Sequence, residues 1–288
     1  MYVLSGILPK VSRLWMLLTI MSAFSLGTVF PASADDAFYS YGEACREALP
    51  SYRRGWAEIL QRGRWTEAER LYRDAVAKAP NCVIAKSVLA RITIDAVERR
   101  QLMAEIQATK SNIDSEGALI LEPYVRTLRL ISARETGVSL PDDFSRDLRR
   151  LAASNYRLFL DSYPEEWAVR IEYIEWIHAE HGPGKALEKI GEMAQENLTD
   201  SFRMSYFPAS FHAELGHFEQ ATELAQKFVK QLGPGDWPQA YYIKAFIAYE
   251  SGDYIVAQQS IRRALQLDPR HLIADRLSKK INRALALE

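Results

Sequence analysis

The amino-acid sequence predicts an all-α protein built from helical hairpins that follow one another along the chain. One observation behind this is a residue pattern that recurs in several parts of the sequence. Another is that apolar and polar residues do not alternate over a stretch long enough for a half-buried strand, so no β-sheet is expected. With 288 residues, 48% of them apolar and 25% charged, the chain can bury a sizeable core, which excludes a disordered or fibrous protein.

The recurring pattern is a glycine followed by an aromatic residue at +2, alanine at +5, a large residue at +9, alanine at +12 and proline at +17. The first copy consists of Gly63, Trp65, Ala68, Tyr72, Ala75 and Pro80, and the last of Gly252, Tyr254, Ala257, Ile261, Ala264 and Pro269. A third copy consists of Gly216, Phe218, Ala221, Ala225 and Phe228, with Pro234 one residue late, and a weaker fourth of Ala186, Ile190 and Met193.

Each position of the pattern has a mechanical reason. Glycine ends one helix and turns the chain, because it tolerates a positive φ without a Cβ clash. The two alanines lie two turns apart on one face of the next helix, where a small side chain lets a neighbouring helix approach closely. Proline ends that helix, because it has no N–H to donate. An amphipathic helix precedes the glycine, with Tyr52, Trp56 and Ile59 on one face in the first copy.

A pattern of this kind with a period of about 34 residues resembles the tetratricopeptide repeat family. The resemblance is strong over 49–82 and 202–270, fair over 165–200 and weak over 95–160. The first copy departs from the family pattern in its first helix. Gly55 and Trp56 stand there where the family usually has a large residue followed by a small one. The resemblance implies a right-handed α-solenoid with a diverged middle, whose concave side is lined by the first helix of each hairpin.

We expect the chain to be divided into a signal peptide (1–34), an N-terminal helix (35–48), a repeat (49–82), diverged hairpins (83–164), three further repeats (165–200, 201–236 and 237–270) and a capping helix (271–288). In the diverged middle, helices are expected over 83–94, 116–133 and 144–160, the last of them capped by Asp142 or Asp143. The capping helix is rich in lysine and arginine. It is predicted to cover the open end of the stack and to present a polar face to solvent.

The first 34 residues have the three parts of a secretory signal. Lys10 and Arg13 precede an apolar run over 14–30, and Ala32 and Ala34 are the small residues of a cleavage site. We expect cleavage after Ala34 and a periplasmic or secreted bacterial protein, with no membrane span after the signal is removed. An uncleaved membrane anchor is the alternative, since the run of 17 apolar or small residues is at the lower limit for spanning a bilayer.

Cys45 and Cys82 are the two cysteines of the chain, and both lie in the part expected to be exported. An oxidising compartment lets a disulfide persist, so we expect the two to pair, and two separate buried thiols are the alternative. A zinc or thioredoxin-like site is poorly supported, because the chain has neither a C-x-x-C motif nor a third cysteine.

Charge balance and motifs argue against nucleic-acid binding and catalysis. The 36 basic residues are matched by 37 acidic ones, and the arginine pairs alternate with acids as they do on a solvated helix face. Motifs of hydrolases, phosphate loops and zinc proteases are absent, so we expect neither an enzyme nor a cofactor. His178 and His181 lie one turn apart near Glu175 and Glu180, but without a fixed third ligand we interpret them as polar residues at a helix end.

Candidate binding residues follow from the solenoid that the resemblance implies. On the first helix of each hairpin, the side chains not committed to packing within the hairpin face the concave groove. These residues are Glu175, His178, Arg203, Tyr206, Tyr242, Phe246 and Tyr249. Such a composition is typical of protein-binding hot spots. For each ring, packing against the neighbouring repeat is the alternative.

The sequence therefore favours a non-enzymatic, exported scaffold or adaptor that binds a peptide or partner protein in the cell envelope. One alternative is an accessory protein that binds a small molecule, glycan or lipid for a transport or polysaccharide-export system, and another is an enzyme using the region of His178 and His181. An open groove would indicate the first function, a closed apolar pocket of ~300 Å³ or more the second, and convergent titratable groups with perturbed pKa values the third.

Overall fold

A computed structural model describes residues 38–195 and 206–287, and the predicted all-α fold is confirmed for them. The expected signal peptide, its cleavage site and Arg203 lie outside the described residues. The helices are α1 (Leu49–Ala57), α2 (Trp65–Lys78), α3 (Val83–Ile92), α4 (Ala96–Thr109), α5 (Ser115–Thr136), α6 (Phe144–Ser162), α7 (Trp167–His181), α8 (Pro183–Gln195), α9 (Phe207–Glu214), α10 (Phe218–Leu232), α11 (Pro238–Glu250), α12 (Tyr254–Leu267) and α13 (Leu272–Leu285). Within the described ranges, none of them combines the length and apolarity that crossing a bilayer requires.

The N-terminal segment differs from the helix predicted over 35–48. Its described part contains a single 3₁₀ turn, Glu43–Cys45. Just before this turn, Tyr41 (φ 56°) and Gly42 (φ 80°) occupy the left-handed region, through which an α-helix does not continue. Tyr39 and Tyr41 are buried. Burial of its tyrosines and the hydrogen bond that the Tyr39 N–H donates to Glu166 Oε1 at 2.9 Å therefore help to hold the segment, which contains only one helical turn in its described part.

The repeat positions have the conformations that the pattern predicts. Gly63, Gly216 and Gly252 all have positive φ at the turn between two helices. Fully buried alanines at +5 and +12 are Ala68, Ala75, Ala221, Ala257 and Ala264. Gly55 is one of the two residues at which the first copy departs from the family pattern. A Cβ at this position would lie 2.7 Å from Cζ of Tyr72. The missing side chain lets this ring pack directly on the backbone of α1.

The middle of the chain forms four helices. The three predicted there correspond to α3, α5 and α6, and α4 lies between the first two. Asp95 and Asp114 cap α4 and α5 by accepting hydrogen bonds from backbone N–H groups of the first turn. Asp143 precedes α6 as expected, but its side chain accepts no capping hydrogen bond. Pro123 lies within α5, and the helix continues past it.

The two ends of the described chain meet. Consecutive helices contact one another along the chain, and the first hairpin also contacts the last ones. The Thr66 N–H and hydroxyl donate to the two oxygens of Asp268, at 2.9 and 2.8 Å, although 202 residues separate them. Arg270 forms an ion pair with Glu69 and donates to the carbonyl of Ile92 at 3.2 Å. The helical array therefore closes on itself.

Where the first hairpin meets α13, the described helices line a small cavity. In α13, predicted as a solvated cap, Lys279, Lys280 and Arg283 are exposed, and Leu272 and Ile273 contribute to the wall of this cavity. His271 is fully buried, stacks on Tyr242 with centroids 5.6 Å apart and has Nε2 3.2 Å from Oε1 of Gln239. Burial lowers the pKa of His271 to about 4, so this side chain is neutral at pH 7.

Cys45 and Cys82 form the predicted disulfide, with the Sγ atoms 2.05 Å and the Cα atoms 4.6 Å apart. Cys45 ends the 3₁₀ turn, and Cys82 directly precedes α3. Both side chains are buried in the core. The bond therefore ties the N-terminal segment to the second hairpin.

We expect the Cys45→Ser, Cys82→Ser double variant to lose about 3 to 4 kcal/mol of unfolding free energy in the chain-entropy model. The reason is that the bond closes a segment with a sequence separation of 37, whose freedom in the unfolded chain is otherwise large. Urea unfolding of the oxidised and variant proteins measures the difference. Equal midpoints would contradict the prediction.

Candidate functional site

A cavity of about 220 Å³ lies at the centre of the closed array. Its walls come from the first hairpin, α3, α5, α7 and α13, so segments far apart in the sequence meet around it. The aromatic and charged lining residues are Trp56, Trp65, Arg91, Glu172, Glu175, Tyr206 and Arg276. Two residues predicted from the sequence, Glu175 and Tyr206, are thus brought together here.

An ion pair forms one wall of this central cavity, and a tyrosine outside the lining supports it. Arg91 Nη2 donates to Glu172 Oε1 at 2.8 Å, and the Tyr124 hydroxyl donates to Oε2 at 2.5 Å. The guanidinium group of Arg91 also lies 4.3 Å from the centre of the Tyr124 ring. Burial alone would lower the pKa of Arg91, but Glu172, Tyr124 and Tyr156 together outweigh it, and the pKa is raised. Because both Glu172 oxygens are occupied, this wall is fixed and charged.

Glu175 lies on the same helix as Glu172 and has no hydrogen bond to a described residue. Its side chain is exposed to solvent and belongs to the lining of the central cavity. Loss of hydration, with a smaller contribution from the Glu172 charge, raises the pKa of Glu175 from 4.5 to about 7, and Arg91 partly opposes this. The carboxyl group therefore exchanges a proton near neutral pH and can pair with a cation.

Tyr206 and Tyr242 are core residues. Their side chains are 6% and 8% exposed, and their rings meet edge to face with centroids 5.4 Å apart. Half-buried Phe246 extends this cluster, 6.1 Å from Tyr242. Both rings are therefore packed against their neighbours, which is the alternative to a groove-facing position. For Tyr242 the reason is packing of the next helix, because His271, which precedes α13, stacks on that ring.

The other predicted residues lie apart from the lining of the central cavity. His178 Nε2 is 2.8 Å from Glu214 Oε2, which links α7 to α9. Half-buried Tyr249 contacts the ring of Tyr254, the first residue of the next helix, at 5.7 Å. Within the part of the chain that the structure describes, no three His, Cys, Asp or Glu side chains are grouped so as to hold a metal ion.

Comparison with known proteins assigns no family to this arrangement. No protein-family model matches the chain, and no curated protein sequence matches it. The resemblance to tetratricopeptide repeats thus depends on the hairpin pattern, and function has to be inferred from the geometry of the sites.

A second candidate site is the groove between α10 and α11, with a volume of about 730 Å³. Small side chains in its lining are Ala225, Ala240 and Ala248. Val229, which is 38% exposed, belongs to its α10 wall. Lys230 and Lys244 are exposed at its edge and form no ion pair with a described residue, whereas Asp236 is paired with Arg263. The groove is therefore apolar inside and positively charged at its edge.

Sequence reasoning did not predict this groove, although one signal for it is present. Ala225 occupies the +9 position, which Tyr72 and Ile261 fill in other copies of the pattern. Those two side chains are fully buried, so an alanine at the same position leaves unfilled volume. The groove lies on the face of α11 that carries Tyr241 and Lys244, and not on the face predicted to bind a partner.

Proposed function

We propose that this protein is an exported, non-enzymatic scaffold or adaptor that binds an apolar segment of a partner protein in the cell envelope. The observation that carries the proposal is the groove between α10 and α11. Its volume of about 730 Å³ is sufficient for several side chains of a partner, and its interior is apolar. In this proposal the hairpins are tetratricopeptide-like units of a right-handed α-solenoid whose ends have closed, and the groove lies between successive hairpins.

The chemistry of the groove defines the partner segment. Apolar side chains on one face of a helix fit the inside of the groove, as in other helix-in-groove complexes. Lys230 and Lys244 at the edge favour acidic residues beside those apolar anchors. The paired Asp236 contributes little repulsion, because Arg263 neutralises it. The partner segment is therefore an acidic amphipathic helix.

The disulfide supports the proposed location. Such bonds persist in the periplasm or outside the cell and are rare in the cytosol. The buried Cys45–Cys82 bond is consistent with a mature chain that begins at Asp35 after cleavage of the signal.

Selection of a displayed peptide library against the purified mature protein tests the proposed groove. We expect enriched peptides to combine apolar residues at helical spacing with Asp or Glu. Their affinity should fall at least tenfold in Val229→Glu, because this substitution places a carboxylate inside the apolar groove and opposite the acidic peptide.

Ile255→Glu is the matched control, because Ile255 is 58% exposed and lies outside the lining of the groove. This variant should bind the selected peptides as the unmodified protein does. Enrichment of no peptide, or equal binding by the Val229→Glu variant, would overturn the assignment of the groove.

A further inference from the structure

Two charged side chains in the lining of the central cavity have no ion-pair partner among the described residues. Arg91 and Glu172 are bonded to each other, so they neutralise one another. Glu175 and Arg276 also line the cavity, and among the described residues neither has an ion-pair partner. They lie on different walls, Glu175 on α7 and Arg276 on α13. An unpaired anion and an unpaired cation therefore face the same small space.

The volume of the central cavity limits its occupant to a small molecule. A volume of about 220 Å³ corresponds to roughly seven water molecules at ~30 Å³ each. This is below the usual range for drug-sized ligands, which begins at ~300 Å³. Glu175 and Arg276 are both accessible to solvent, so a molecule can reach the charged side of the space. The cavity thus suits a metabolite the size of a single amino acid.

The charges decide which small molecule fits. A plain anion would pair with Arg276 and leave Glu175 without a partner. A plain cation would pair with Glu175 and leave Arg276 without a partner. A neutral apolar molecule would remove water from both unpaired charges, which costs free energy. A molecule carrying both an ammonium and a carboxylate group can pair with both residues at once.

The apolar surfaces agree with this choice. Aliphatic lining residues are Ile59, Leu60, Val88, Ile92, Ile131, Leu272 and Ile273. They provide space for a short hydrocarbon side chain. The indole rings of Trp56 and Trp65 are in the same lining, and tryptophan is the side chain that attracts an ammonium group most strongly.

We propose that the central cavity binds a small zwitterion of the amino-acid type, with its ammonium group paired to Glu175 and its carboxylate paired to Arg276. This site is separate from the groove between α10 and α11 and does not depend on the function proposed for that groove. Because the cavity walls include the first hairpin, α7 and α13, an occupant also connects the segments that meet when the array closes.

The pH dependence of binding follows from the surroundings of Glu175. The charged and titratable groups lining this space are Arg91, Glu172, Tyr206 and Arg276, and His178 lies one turn along α7. An ammonium ligand needs the ionised carboxylate, and the pKa of Glu175 is about 7 in the free protein. Affinity should therefore be roughly thirtyfold weaker at pH 5.5 than at pH 8, with protons released on binding at the lower pH.

Isothermal titration of the mature protein with leucine, alanine and glycine betaine at pH 8 tests the proposal. We expect at least one of them to bind at millimolar concentration or below. For leucine, 3-methylbutan-1-amine lacks the carboxylate and 4-methylpentanoate lacks the ammonium group, and each should bind at least tenfold more weakly. Absence of binding by all three zwitterions, or equal binding by the singly charged analogues, would overturn it.

Variants locate the bound molecule. Glu175→Gln and Arg276→Gln should each weaken binding at least tenfold, and the first should also remove the pH dependence. His178→Gln should retain the pH dependence. Arg283→Gln, an exposed position on α13 outside the cavity lining, is the matched control and should bind normally, as should Val229→Glu.

Folding of these variants can be confirmed independently. Glu175 and Arg276 are both solvent-accessible, so their glutamine variants should keep the circular dichroism spectrum of the unmodified protein. Normal zwitterion binding by both glutamine variants would show that the ligand occupies another site and would overturn the assignment.

Discussion

Replacing Gly63 with alanine is expected to lower the free energy of unfolding by about 3 to 5 kcal/mol. Gly63 has a φ of +71°, a conformation that costs an L-residue roughly 1 kcal/mol. A Cβ there would also lie 2.6 Å from Nε2 of His271 and 2.7 Å from the backbone nitrogen of Gln239. Both neighbours are fully buried and contact each other, so neither can move away cheaply. The substitution therefore opposes closure of the array.

Gly252 provides the matched control. It occupies the equivalent turn in the last copy of the pattern, with a φ of +83° and no atom within 4 Å of a built Cβ. Gly252→Ala should therefore cost only about 1 kcal/mol, the conformational part of the effect. Comparing the unfolding free energies of the two variants in urea separates the conformational cost of the added Cβ from its steric cost. Equal losses would mean that the first hairpin does not pack against α11 and α13 as described.

The helices could be predicted from the sequence because their causes are local. The glycine, alanine and proline positions act within one hairpin, and the copies at both ends of the chain have the buried alanines and positive-φ glycines that the pattern requires. Closure of the array has no local cause. It depends on pairs such as Thr66 with Asp268, which lie 202 residues apart, and a hairpin register contains no information about such pairs.

The candidate site was only partly predictable for the same reason. The register placed Glu175 and Tyr206 on the inner side, and both line the central cavity. Arg276 was missed, because it lies on a helix that the sequence predicts to be a solvated cap. Trp65 was recognised only as the aromatic residue at +2 of the pattern, and the structure places it in the cavity wall. Which inner residues remain accessible is therefore a property of the closed array.

Tyr242→Ala is expected to lower the free energy of unfolding by about 3 to 4 kcal/mol, as truncation of a buried aromatic ring does. The side chain is 8% exposed and contacts three rings, those of Tyr206, Phe246 and His271. Removing it leaves a cavity at the point where α11 meets the residue preceding α13. The effect should thus be on folding, although sequence reasoning assigned this tyrosine to a binding surface.

Two further substitutions make the Tyr242 prediction specific. Tyr242→Phe keeps the ring, and the hydroxyl has no hydrogen-bond partner among the described residues, so its cost should be below about 1 kcal/mol. Tyr249→Ala truncates a half-buried ring that contacts Tyr254, and should cost about 1 kcal/mol. Urea unfolding measures all three variants. If the alanine variant at 242 is as stable as the phenylalanine variant, the ring is not part of the core, and Tyr242 returns to the set of candidate binding residues.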